Sequence, residues 1–150
     1  YDAIARMTLG AESWTVLSLF GATGCGKTHL AYAAALEYVR KGELVKFWYI
    51  PDLFRALKDE FESEAENTLE TIDHSALLVL DDLGAEQGTP WQGAVLESII
   101  NSRWAAGKGL IVTSNRDRSS LSPPVRSRLE DRACSRIVVI TAGDYRLVRR

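Results

Sequence analysis

WTVLSLFGATGCGKT, residues 14–28, decides the fold. Its first half, WTVLSLF, is dense in strand-forming residues. It runs without a break into GATGCGKT, which fits the spacing GxxxxGK followed by Ser or Thr. The stretch after it, THLAYAAALEYVRKG, is rich in Ala and Leu and stops at Gly42, which predicts a helix. A buried strand, a glycine loop and a helix in immediate succession form a site for phosphate.

Each fixed position of the loop has a chemical reason. Gly21, Gly24 and Gly26 let the backbone curl so that successive N–H groups point inward at phosphate oxygens. The following helix presents its positive end to the same anion. Lys27 supplies a point charge for the β- and γ-phosphates, and the hydroxyl of Thr28 suits a magnesium ion. The candidate nucleotide-binding residues are therefore Gly21, Thr23, Gly24, Cys25, Gly26, Lys27 and Thr28, with His29 beside them at the helix start. The expected ligand is ATP or ADP with Mg2+. Cys25 reads as a small residue at a variable loop position, and His29 as a helix-start residue rather than a catalyst.

Outward from the loop, short apolar runs alternate with helical patterns, which argues for a parallel sheet with crossover helices. LVKFWYI (44–50) reads as a second strand, and Pro51-Asp52 then opens a helix with Leu53, Leu57 and Phe61 on one face. A polar break at 62–67 precedes a short helix towards Ile72. ALLVLDD (76–82) reads as a third strand and GAEQGTP (84–90) as a loop. A helix follows over 91–106, with Val95, Leu96, Ile99 and Ile100 as its apolar face. GLIVTSN (109–115) and RIVVIT (136–141) are the fourth and fifth strands, separated by a Ser/Pro-rich stretch and the basic segment VRSRLEDR.

The third strand ends in two acids. In a parallel sheet ligands sit at the carboxyl ends of the strands, so Asp81 and Asp82 are expected to face the phosphate loop. Asp81 is the candidate for holding magnesium, through water. Asp82 is the candidate for orienting and deprotonating an attacking water. Glu86 is a weaker acidic candidate, and His74 reads as structural.

Composition narrows the partners. The 150 residues fit one domain, with 46% hydrophobic and 25% charged residues and a net charge of -2. Any nucleic-acid contact then has to come from a local patch, such as Arg116, Arg118, Arg126, Arg128 and Arg132. Trp91 and Trp104 are candidates for base stacking, against the ordinary role of core or interface residues. Cys25 and Cys134 have no metal-type spacing, and a reducing cytoplasm fits. No apolar run approaches the roughly 20 residues that span a bilayer. The chain begins at Tyr1 rather than Met, so residues 1–150 are expected to be the C-terminal part of a longer protein.

GATGCGKTHLA, LLVLDDLGAE, IVTSN, SRLEDR and the late GDYR occur in this order, and together they resemble AAA+ ATPases of the DnaC/IstB type. These are bacterial and phage helicase loaders, with transposition helper ATPases as relatives. The resemblance covers nearly the whole chain, and the DDLG form of the acidic motif is its most telling part. It implies a P-loop NTPase fold: a parallel five-stranded sheet of order 5-1-4-3-2, helices on both faces and no helical lid subdomain. It implies that Asn115 is sensor 1, that Arg128 in SRL is an arginine finger, with Arg126 as the alternative, and that Arg146 in GDYR is sensor 2. It further implies a homo-oligomer that completes its sites in trans, a replicative helicase as partner, single-stranded DNA as a weaker one, and an N-terminal partner-binding region that lies outside this chain. An IstB-like transposition helper is the alternative within the class. Outside it stand a nucleotide-gated interaction module that barely hydrolyses ATP and a small-molecule kinase, which would need a substrate pocket and a lid.

Overall fold

The computed structural model of the protein describes residues 6–7, 14–62, 67–84 and 88–144, with the side chains of 61 and 62 excepted. Five strands pair in parallel: β1 (Val16–Gly21), β2 (Val45–Tyr49), β3 (Leu77–Asp81), β4 (Gly109–Ser114) and β5 (Ser135–Ile140). Their order is β2-β3-β4-β1-β5, which is the expected 5-1-4-3-2 read from the other edge. Five α-helices connect them: α1 (Lys27–Arg40), α2 (Ile50–Glu62), α3 (Thr68–His74), α4 (Pro90–Ala105) and α5 (Pro123–Leu129).

Alternation along the strands sends successive side chains to opposite faces. Leu78 and Leu80 of β3 and Leu110 and Val112 of β4 join Leu53, Phe54 and Leu57 of α2, Leu96, Ile99 and Ile100 of α4, and Val125 and Leu129 of α5. Their neighbours Leu77, Val79 and Ile111 point the other way, with Leu17 and Leu19 of β1, onto Ala31, Ala34 and Ala35 of α1. The alanines let α1 lie close against the centre of the sheet, so the helix that follows the glycine loop is held under it. Helices thus cover both faces, as expected.

Local signals set the element ends. Thr89 caps α4 through a reciprocal pair: its hydroxyl accepts from the Gln92 N–H, and the Gln92 side chain accepts from the Thr89 N–H. Asn67 caps α3 by accepting from the Glu70 N–H. Two sequence expectations shift. Ile50 opens α2 instead of ending β2, because the helix starts one residue ahead of Pro51. Asp82 lies beyond β3, in the left-handed region at φ 65°, so the strand ends one residue earlier than its apolar pattern suggested. The side chain of Phe61 lies outside the described set, as do Glu86 and Arg146.

Candidate nucleotide site

The loop between β1 and α1 stands at the carboxyl end of the sheet, next to the ends of β3 and β4. Gly21 is at φ 155°, and a Cβ there would lie 2.5 Å from the Ile140 carbonyl and 2.9 Å from Cys25 Sγ. Gly24 is at φ 78°, and a Cβ there would lie 1.9 Å from a carboxylate oxygen of Asp144. Both positions therefore favour glycine for conformation, and at Gly21 the Ile140 backbone carbonyl also leaves no space for a side chain. Asp144 follows β5 and had no reading in the sequence, yet its carboxylate rests directly on the loop.

No side chain caps α1 at Gly26, and no acid occupies the first turn of the helix. Its first N–H groups keep their positive potential for a ligand. Lys27 is buried, and its Nζ donates to the carbonyls of Gly21 and Ala22, each at 2.8 Å, and to Cys25 Sγ at 3.6 Å. The ammonium is thus folded over the loop it serves. Cys25 is also buried, while Thr23 and His29 are exposed at the loop tip and helix start.

A continuous hydrogen-bonded chain links the loop to the acids. Thr28 Oγ1 donates to Asp81, 2.9 Å from Oδ1 and 3.2 Å from Oδ2. Thr113 Oγ1 donates to Asp81 Oδ1 at 2.7 Å and accepts from the Asp82 N–H at 2.9 Å. Asn115 Nδ2 donates to Asp82 Oδ1 at 2.6 Å. Asp81 is 8% exposed, and two hydroxyls orient its carboxylate. The structure therefore brings together Gly21 to Thr28, Asp81 with Asp82, and Asn115, three separate stretches of the sequence.

Thr113 is the residue missed by sequence reading. One hydroxyl both donates and accepts, which holds Asp81 in line and fixes the turn that swings Asp82 out of the strand. Beside it, Leu83 N–H donates to the Thr113 carbonyl at 2.8 Å, and Ser114 Oγ donates to the Leu83 carbonyl at 2.6 Å. The left-handed φ of Asp82 is thus held on both sides by β4, a strained placement of the kind found where a side chain is aimed at chemistry. Hard oxygen donors from Thr28 and Asp81, adjacent and oriented, match what a magnesium ion accepts.

Arg128 is not part of this cluster. Its carbonyl accepts from Ser135 Oγ at 2.7 Å, and Ser135 pairs with Val16, the first residue of β1. The loop begins five residues further along β1, roughly 16 Å at ~3.3 Å per residue, far beyond the reach of an arginine side chain. Arg128 instead lies against α4, while Arg126 is half-buried on another side of α5. Of the other arginines, Arg118 pairs with Glu130 at 3.8 Å and the Arg116 stem lies over Gly84. Arg116 and Arg128 of the expected basic patch therefore lie at opposite ends of the sheet.

Fold and site together define a P-loop nucleotide-binding domain of the AAA+ class. The chain belongs to the family of IstB-like ATP binding proteins, whose model matches residues 11–122. It is similar to the replicative helicase loader DnaC of Escherichia coli K12, 25% identical over 115 residues that cover 75% of this chain and 47% of that protein. It is also similar to a putative insertion sequence ATP-binding protein of Sinorhizobium fredii, 31% identical over 109 residues, 69% of this chain and 36% of that one. A crystal structure of the DnaC helicase loader superposes with a TM-score of 0.79 at 30% identity, over 93% of this chain and 87% of that chain. The chain spans at most about half the length of these curated relatives. No helix among the described residues is long and apolar enough to cross a membrane.

Proposed function

We propose that this chain is the ATP-hydrolysing motor domain of a helicase loader, acting as an oligomer to place a replicative helicase on single-stranded DNA. The observation that carries the hydrolytic part is the unbroken chain Thr28–Asp81–Thr113–Asp82–Asn115. It ties the phosphate loop to one buried carboxylate and one outward carboxylate, which is the division of labour hydrolysis needs.

The roles follow from the contacts. Lys27 exchanges the Gly21 and Ala22 carbonyls for the β- and γ-phosphate oxygens. Thr28 and Asp81 would hold the magnesium ion, which offsets phosphate charge when bound. Asp82, aimed outward by its turn, accepts the proton of the attacking water. The Asn115 amide holds the Asp82 carboxylate and is within reach of the same water. Among the described residues Lys27 is the cation held over the phosphate loop, and hydrolysis calls for a second one to stabilise the charge that develops on the γ-phosphate. Arg128 of a neighbouring subunit supplies it in this reading, worth roughly 10³–10⁵ in rate. Arg146 would act as sensor 2.

DnaC stands behind the loader reading in both sequence and structural likeness. The insertion-sequence relative supports a transposition helper as the second reading. Phosphate release by the full-length protein, measured with single-stranded DNA and either a hexameric helicase or a transposase, separates them. The loader reading expects stimulation and co-purification with the helicase, together with an oligomer in the same samples. Stimulation by transposase alone would transfer the domain to the second reading. No turnover under any condition would leave a nucleotide-gated interaction module.

A further inference from the structure

The guanidinium of Arg128 is held by two residues of the same chain. Its Nε donates to Asn101 Oδ1 at 2.9 Å, and its central carbon lies 4.2 Å from the centroid of the Trp104 ring. Asn101 and Trp104 both belong to α4, three residues apart and therefore on one face. Trp104 is itself fixed, since its Nε1 donates to Asp131 Oδ2 at 3.0 Å. Asp131 in turn accepts the Ala133 N–H on its other oxygen, and its carbonyl accepts the Ser135 N–H at 2.7 Å. Asp131, Trp104 and Arg128 thus form a braced stack at the start of β5.

The two contacts divide the guanidinium. Asn101 takes the Nε–H and Trp104 takes one face. Among the described residues neither contact uses the terminal Nη groups, the pair of donors that grips a phosphate. A free arginine samples many rotamers; these two contacts fix the direction of the side chain in advance. Among the described residues Arg126 has no comparable hold, and two residues along a helix its side chain diverges by about 200°.

We infer that Asn101 and Trp104 are positioning residues for Arg128, presenting its Nη edge to a triphosphate bound by a second copy of this chain. The inference rests on the proposed hydrolysis in trans and adds to it the device that aims the finger. It also distinguishes Arg128 from Arg126. The face of Trp104 that meets Arg128 serves this stack, so this tryptophan is not a base-stacking surface there.

Subunit mixing in the full-length protein tests it. Asp82→Asn subunits keep their finger and lose their own hydrolysis; Arg128→Ala subunits keep a sound site and lose the finger. Mixed assemblies are expected to regain ATP turnover that neither variant has alone. Trp104→Leu placed in the Asp82→Asn subunit is expected to lower that regained kcat by roughly ten- to hundredfold, the scale of a misplaced group, with KM for ATP unchanged. Asn101→Ala, at an exposed helix position, should lower it in the same subunit without threatening the fold. Trp104→Phe keeps the ring face and should retain most of it. Failure to regain turnover on mixing would remove the trans reading and this inference with it. Regain left undiminished by both Trp104→Leu and Asn101→Ala would overturn the inference alone.

Discussion

Asp82→Asn is expected to lower ATP turnover of the assembled full-length protein by about 10²–10⁴-fold, the usual value of a positioned general base, while nucleotide affinity stays close to that of the wild type. The variant is nearly isosteric. Its Oδ1 can still accept from Asn115 Nδ2, and its N–H still donates to Thr113 Oγ1. Asn tolerates the left-handed conformation at φ 65° as readily as Asp does. Phosphate release and nucleotide titration on the same samples check both halves. Unchanged turnover would remove the catalytic role of Asp82 and leave the support of Asn115 as its purpose. A parallel loss of affinity would mean that Asp82 belongs with Asp81 in the metal shell.

The second large effect lies away from the site. Arg103 is 1% exposed, near the C-terminus of α4. Its three nitrogens donate to the carbonyls of Ile72, Ser75, Ala76 and Gly109 and to Ser75 Oγ, at 2.7–3.2 Å. Among the described residues none of its hydrogen bonds goes to a carboxylate; it serves as a clamp that ties α3 and the starts of β3 and β4 to α4. Arg103→Met fills the space but takes the donor from the Ser75 and Gly109 carbonyls, at ~1–3 kcal/mol each, while the Ile72 and Ala76 carbonyls keep the Ser75 and Gly109 donors. A loss of at least about 3 kcal/mol is expected, or a fall in melting temperature of roughly 10 °C. Arg103→Lys should not rescue it, because a single ammonium cannot span carbonyls on three elements. Denaturant or thermal unfolding measures the loss, and a loss below about 1 kcal/mol would refute the clamp.

Burial lowers the pKa of this guanidinium to about 10, partly opposed by Asp73 and Tyr38. Its folded pKa is below its unfolded one. Both states therefore hold the proton below about pH 10, and the burial cost is constant there. Between pH 10 and the unfolded value the unfolded chain binds more protons, so the contribution of this group to stability rises with pH. The Arg103→Met effect should accordingly be flat around neutrality.

Glycines at 21, 24 and 26, Lys27 and Thr28 were legible because each answers a local demand of a phosphate cradle. Asp81 and Asp82 were legible because acids ending an apolar strand have few other uses. Asn115 came from the resemblance, and the hydrogen bond to Asp82 gives it a physical basis. Thr113 was not legible: a threonine in GLIVTSN reads as a strand former, and its hydroxyl matters only because β3 lies alongside. Arg103 was not legible either, since its acceptors lie up to 31 positions away in sequence. Trp104 suggested base stacking because nothing nearby in the chain announces Arg128, which reaches it from the next helix. Strand order followed from the resemblance; the alternation of apolar runs and helices alone fixes only the parallel sheet. In each case the hidden information is a side-chain partner brought in by tertiary structure.

Residues 21–28 are expected to hold a triphosphate through Lys27, with Asp81 at its metal. Calorimetric titration of ATP with Mg2+ into the wild type and Lys27→Ala tests it most directly. A single site is expected in the wild type, weakened roughly ten- to hundredfold in the variant by the loss of charged hydrogen bonds. No binding by the wild type, or equal affinity in the two proteins, would contradict it.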